Sequence, residues 1–141
     1  MAGRFQTGAW FQTLSPLFKY CLLVGLGGGA GSIARFLCHK YISEWFPHAF
    51  PTGTLLVNIS GCFLIGILAG LTERGQLIAP ESRLLLITGL CGGFTTFSAF
   101  AYENIQLLKN GATISFLLYT AGSVVLGLLA TFLGIAVIKA N

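Results

Sequence analysis

The chain has 141 residues, 55% of them hydrophobic and 9% charged, whereas an ordinary soluble domain carries about 25% charged residues. That composition excludes a water-soluble globular fold and points to an all-α transmembrane class. The formal charge of +4 comes from basic residues scattered between apolar runs, with no cluster suited to a phosphate backbone, so no nucleic acid partner is expected.

Residues 1–17 read as an N-terminal extension. Trp10, Phe11, Leu14 and Phe18 fall roughly on one helix face, which Pro16 would interrupt, so the extension is either a short interfacial helix or a disordered terminus. No short apolar region precedes a small-residue cleavage site, and Met1-Ala2 lacks the glycine that myristoylation needs. Attachment to the bilayer is therefore expected through insertion. A helix rising about 1.5 Å per residue needs about 20 apolar residues to cross a hydrocarbon core about 30 Å thick. Four stretches meet that length: 20–38, 52–72, 84–102 and 112–138.

The first span is apolar except for Arg35 near its far end. It carries Gly27-x-x-x-Gly31, a spacing that recurs at Gly66 and Gly70 and at Gly89 and Gly93 and lets helix backbones approach closely. The second span is uncharged and holds Asn58, whose amide must find either another helix or an ion. The middle of the third span reads Gly92-Gly93-Phe94-Thr95-Thr96-Phe97-Ser98-Ala99-Phe100. Adjacent glycines weaken a helix by about 1 kcal/mol each relative to alanine, and Thr and Ser compete for its backbone bonds. Two readings stand there: a helix break whose carbonyls converge on a small cation, or a continuous helix packed closely at its glycines. In the fourth span Ser115, Tyr119, Ser123 and Thr131 follow an i+4 rhythm with Gly127 in the missing place. This is either a stripe of hydroxyls or a set bonded back to its own helix.

Arg35 and Glu103 are the charges that intrude on the spans. Each is a functional candidate by its depth, or a side chain reaching back to the interface. Cys21, Cys38, Cys62 and Cys91 lie within spans without a C-x-x-C pair and read as packing residues. His39 and His48, at a span end and in a loop, are placed wrongly for haem or metal ligation. The loops 40–51, 73–83 and 109–111 leave no room for a soluble domain. With four spans, one side carries Arg4, Lys19, Arg74, Arg83 and Lys139 and the other Arg35, Lys40 and Lys109, a near balance that allows insertion in both orientations. Four close-packed helices enclose no water-filled centre, so a transport pathway calls for an oligomer.

Taken together, Gly-Gly-x-Gly-x-x-x-Arg in span one, Gly-Thr-x-x-Val-Asn in span two and Gly-Gly-Phe-Thr-Thr-Phe-Ser in span three resemble the Fluc (CrcB) fluoride channels. The resemblance runs from about Phe18 to the C-terminus, which makes 18–141 a four-span fluoride channel domain. It implies a four-helix subunit with a broken third helix, paired as an antiparallel, dual-topology homodimer in a bacterial plasma (inner) membrane. Fluoride would be exported passively along the subunit interface, without enzyme chemistry. On matching positions it implies that Asn58 lines the pathway with Ser98, and that Phe97 and Phe100 turn positive ring edges to the anion. Tyr119, Ser123 and Thr131 would supply a polar track, Arg35 a basic entrance, and Glu103 an acidic group beyond the phenylalanines. A structural sodium ion (Na+) at the dimer centre is implied on carbonyls of Gly92 and Thr95. Gly127 departs from the family's pattern, in which some members carry a hydroxyl there.

Two rival functions make different demands on the sequence. A small dual-topology multidrug transporter would need a carboxylate inside span one, which has none, and a membrane anchor subunit would place histidines in the apolar core for haem.

Overall fold

A computed structural model describes residues 15–46, 50–73 and 79–140; the expectations for Trp10, Phe11, Leu14 and His48 lie outside them. The described residues form helices and short links between them, with no strand. Four helical stretches are long and apolar enough to cross a membrane: Pro16–Trp45, Thr52–Glu73, Pro80–Lys109 and Thr113–Ala140. The chain is a multi-pass membrane protein.

The first span is longer than its apolar run. Pro16 begins it, because a proline at the first helical position removes only an N–H that would have had no partner. The Ser15 hydroxyl caps it by accepting from Phe18 N–H at 3.4 Å. At the other end the helix continues through the segment expected as a loop from residue 40, reaching Trp45. The third and fourth spans are joined by a tight turn at Asn110 and Gly111. Gly111 has φ 71°, and Gly111 N–H donates to Leu108 O at 3.0 Å while Ala112 N–H donates to Leu107 O at 2.9 Å. This is a Schellman motif, whose left-handed residue favours glycine.

The third span is irregular. After a single turn, Pro80–Arg83, the residues Leu84–Cys91 wind as a π-helix; Gly92–Phe94 is α-helical, and a second α-helix runs from Phe97 to Lys109. Between them Thr95 (φ −85°, ψ 157°) and Thr96 (φ −149°, ψ 122°) are extended. Gly92 and Gly93, the residues at which an interruption was expected, keep helical geometry, and the change of conformation falls on the two threonines.

Span one packs chiefly against the first half of span three, and span two against span four. Both contacts are made through glycine. A methyl built on Gly27 would run into the carbonyl oxygen of Leu85, and one on Gly93 into that of Gly28. In the other pair, a methyl on Gly66 would meet the carbonyl of Thr131, and one on Gly134 that of Phe63. Lipid tails are as apolar as leucine, so helices in a bilayer gain from such backbone approach more than from burying side chains. The distribution of side chains agrees: Ile33, Phe36, Leu128 and Phe132 face outward, and only small or polar-tipped groups such as Val57, Cys91 and Tyr119 are fully enclosed.

Ion pairs lie at one end of the bundle. Lys19 Nζ is 3.1 Å from Glu81 Oε1, joining spans one and three, and Lys139 Nζ is 2.8 Å from Glu73 Oε2, joining spans four and two. Half-exposed pairs contribute about 0–1 kcal/mol each, so they align the helix ends more than they stabilise the bundle.

Candidate functional site

The site is built around the extended threonines. Thr95 ends the first half of span three by donating both its N–H (3.0 Å) and its hydroxyl (2.9 Å) to Cys91 O. Thr96 begins the second half as an N-cap, its hydroxyl accepting from Ala99 N–H at 3.3 Å. Asn58 from span two then pairs with Thr96 as a second strand would. Its Oδ1 accepts from Thr96 N–H at 2.8 Å, and its Nδ2 donates to Thr96 O at 3.0 Å. From span one, Arg35 Nε (3.1 Å) and Ser32 Oγ (3.4 Å) both donate to Gly93 O. The guanidinium thus sits at the carbonyl end of the first half-helix, where the peptide dipoles favour positive charge.

Two hollows flank this point. One is an open, mostly apolar groove of about 440 Å³, whose lining includes Asn58, Cys62, Thr95, Phe97, Phe100 and Ser123. The other is a polar vestibule of about 340 Å³ with Ser32, Arg35, His39, Thr54 and Glu103 in its wall. Thr96 lines both and forms the partition. Phe97, 79% exposed, and Phe100 have ring centroids 5.7 Å apart, and the Phe100 ring lies 5.1 Å from that of Tyr119.

In the vestibule, Glu103 accepts from Thr54 Oγ1 at one oxygen and from Tyr119 OH at the other, both at 2.7 Å. Such short bonds are typical of a hydroxyl donating to a carboxylate, and they hold the side chain between spans two and four. The next residue, Asn104, is 6% exposed; its Nδ2 donates to Phe100 O at 2.9 Å and its Oδ1 accepts from Thr120 Oγ1 at 2.8 Å.

The residues singled out in the sequence are not all in one place. Asn58, Phe97, Phe100, Ser123, Gly92 and Thr95 share the groove, and Arg35 and Glu103 share the vestibule. Tyr119 lines neither, because its ring is fully enclosed and its hydroxyl is engaged by Glu103. Thr131 is also outside the groove, its hydroxyl shared between Gly127 O at 3.1 Å and Cys62 O at 3.2 Å. Ser98 lines neither hollow and lies 3.3 Å from the Thr96 hydroxyl. Thr54 went unremarked in the sequence, and Cys62 and His39 were given no role in the site, yet each lines one of the hollows. Thr54, Asn58 and Cys62 recur at i, i+4 and i+8 on span two, and His39 lies one turn beyond Arg35. The Cys62 sulfur fills the space beside Gly127: a methyl on that glycine would sit 3.4 Å from it.

The profile of the family described as CrcB-like protein, Camphor Resistance (CrcB), matches residues 22–135. The chain is 45% identical over 121 residues to a protein of Flavobacterium psychrophilum, covering 86% of this chain and 98% of that one. It is 52% identical over 117 residues to a protein of Phocaeicola vulgatus (83% and 96% covered) and 50% identical over 111 residues to one of Aquifex aeolicus (79% and 90% covered). Each of these relatives carries the name fluoride-specific ion channel FluC. On the match along nearly its whole membrane domain, the chain belongs to the CrcB-like family.

Proposed function

We propose that this chain is a fluoride-selective channel that lets fluoride leave a bacterial cell passively and so relieves its toxicity. The observation that carries the reading is the groove beside Thr95 and Thr96, where an amide, a hydroxyl and two phenylalanine rings meet at mid-membrane in a chain whose relatives bear that name.

Fluoride is small and strongly hydrated, so a pathway must replace its water with donors that hold it weakly enough to release it. Arg35 at the vestibule keeps N–H groups beyond the one spent on Gly93 O and attracts the anion to the mouth. Beyond Thr96 the available groups are the second hydrogen of Asn58 Nδ2, the Ser123 hydroxyl and the electropositive edges of Phe97 and Phe100. Among the described residues no lysine or arginine lines the groove, so nothing in it holds the ion with a full positive charge.

The groove is open along one side of a single chain, and closing it requires a second copy. Five basic residues on one side against three on the other favour neither orientation strongly, which supports an antiparallel homodimer with broken third helices crossing at its centre. A sodium ion fits that centre. Thr96 N–H, the helical partner of Gly92 O, is taken by Asn58, and Ala99 N–H, the partner of Thr95 O, is taken by the Thr96 hydroxyl. These carbonyl oxygens are hard, neutral ligands of the kind that suits a small cation, and the ion when bound would supply charge that ties the two subunits together.

The test is ion efflux from liposomes holding the purified full-length protein. Fluoride should leave and chloride stay. Equal loss of both ions, or retention of both, would refute the reading.

A further inference from the structure

The second half of span three, the turn at Gly111 and span four form a helical hairpin closed by two polar rungs. Glu103 bonds Tyr119 and Asn104 bonds Thr120, each across sixteen positions. A slip of either helix by one residue breaks both. The rungs differ in their surroundings. Glu103 lines the vestibule with Arg35. Asn104 and Thr120 line neither hollow, and the remaining bond of Asn104 goes to the carbonyl of Phe100, whose ring is in the groove.

We infer that Asn104, held by Thr120, is a positioning residue that fixes the height of Phe100 and Phe97 in the pathway while Glu103 exchanges its own partners. The half-helix needs such a fixture, because it touches the rest of the chain sparsely compared with the glycine-packed pairs. A rung whose carboxylate lines the vestibule serves less well, since an ion drawn to Arg35 there acts on the charge of Glu103. A buried amide bonded on both sides keeps the register whatever state Glu103 is in, because breaking it strands a polar group away from water.

The inference rests on the channel reading, and the experiment separates the two. Fluoride efflux per folded dimer is measured for the full-length wild type, Thr120→Val, Thr120→Ser and the double variant Asn104→Leu/Thr120→Val, alongside each melting temperature. Valine keeps the shape of threonine and deletes the donor; flux should fall at least tenfold, and serine should restore it to within twofold of wild type. Replacing both partners by apolar groups removes the unpaired amide, so the double variant should recover stability and still conduct at least tenfold too slowly. Flux within twofold of wild type in Thr120→Val or in the double variant would overturn the inference and leave the channel reading standing. A wild type that passes no fluoride would overturn both.

Discussion

Replacing Asn58 with leucine tests what holds the third span in its observed shape. Leucine has nearly the same volume but leaves Thr96 N–H and Thr96 O without the bonds of 2.8 and 3.0 Å that asparagine makes. If both groups stayed buried and unpaired the cost would be about 1–3 kcal/mol each. The average for a polar bond between membrane helices is lower, about 0.6 kcal/mol, because the groups find other partners. Here the two differ. Thr96 lies between the two hollows, where its carbonyl has room to turn to another donor, whereas Thr96 N–H has a competing partner in Gly92 O, one helical turn back. The net loss is therefore about 2 kcal/mol, and it is spent on closing the helix. At 1.4 kcal/mol per tenfold, the open form falls about thirtyfold, and fluoride efflux per folded protein should fall with it. Asn58→Asp keeps the acceptor for Thr96 N–H but sets a carboxylate against Thr96 O, and it should conduct poorly as well. Asn58→Leu with flux within threefold of wild type would refute the argument that this amide holds the threonines extended.

Other expectations can be checked on the same preparation. Phe100→Ile keeps bulk but removes the ring edge, so the protein should still elute intact while fluoride efflux drops at least tenfold; loss of stability with unchanged flux per folded protein would assign the ring to packing. Gly134→Ala sets a methyl against the Phe63 carbonyl and should destabilise the span two and span four pair by about 1–3 kcal/mol, seen as a lower melting temperature in detergent. Dialysis against a bulky organic cation in place of sodium should lower flux slowly, over hours, and an unchanged rate and melting temperature after long exchange would remove the ion from the account.

The extent of the membrane domain was legible because uncharged runs of 19 to 27 residues have few other uses. The ends of span one were less so: a proline can break a helix or begin one, and residues 40–45 looked too polar to continue it. Gly92 and Gly93 drew attention as the weakest helix formers in span three, yet Gly93 lies against the backbone of Gly28 and the helix holds there. Tertiary approach overrode propensity, and the chain leaves the helix where Asn58 offers Thr96 an alternative pairing. The π-helical turn at Leu84–Cys91 has no sequence signal of its own. On span four periodicity gives the face of a residue but not which neighbour engages its hydroxyl, as Glu103 does at Tyr119. Thr54 and Cys62 could have been found by extending the i+4 count from Asn58.

The pairing of the helices also sets the order in which the protein can assemble. Neither glycine-packed pair joins helices adjacent in sequence: span one waits for the first half of span three, and span two for span four. At a synthesis rate of about 5–20 residues per second, span one remains in the bilayer for several seconds with its bare glycine face turned to lipid. Span two waits as long for Gly134 to arrive. The first two spans therefore enter as a loosely associated hairpin, and the second two close both pairs at once. Cutting the chain between spans two and three would leave each fragment with one member of both pairs, so neither half of this protein is a folding unit alone.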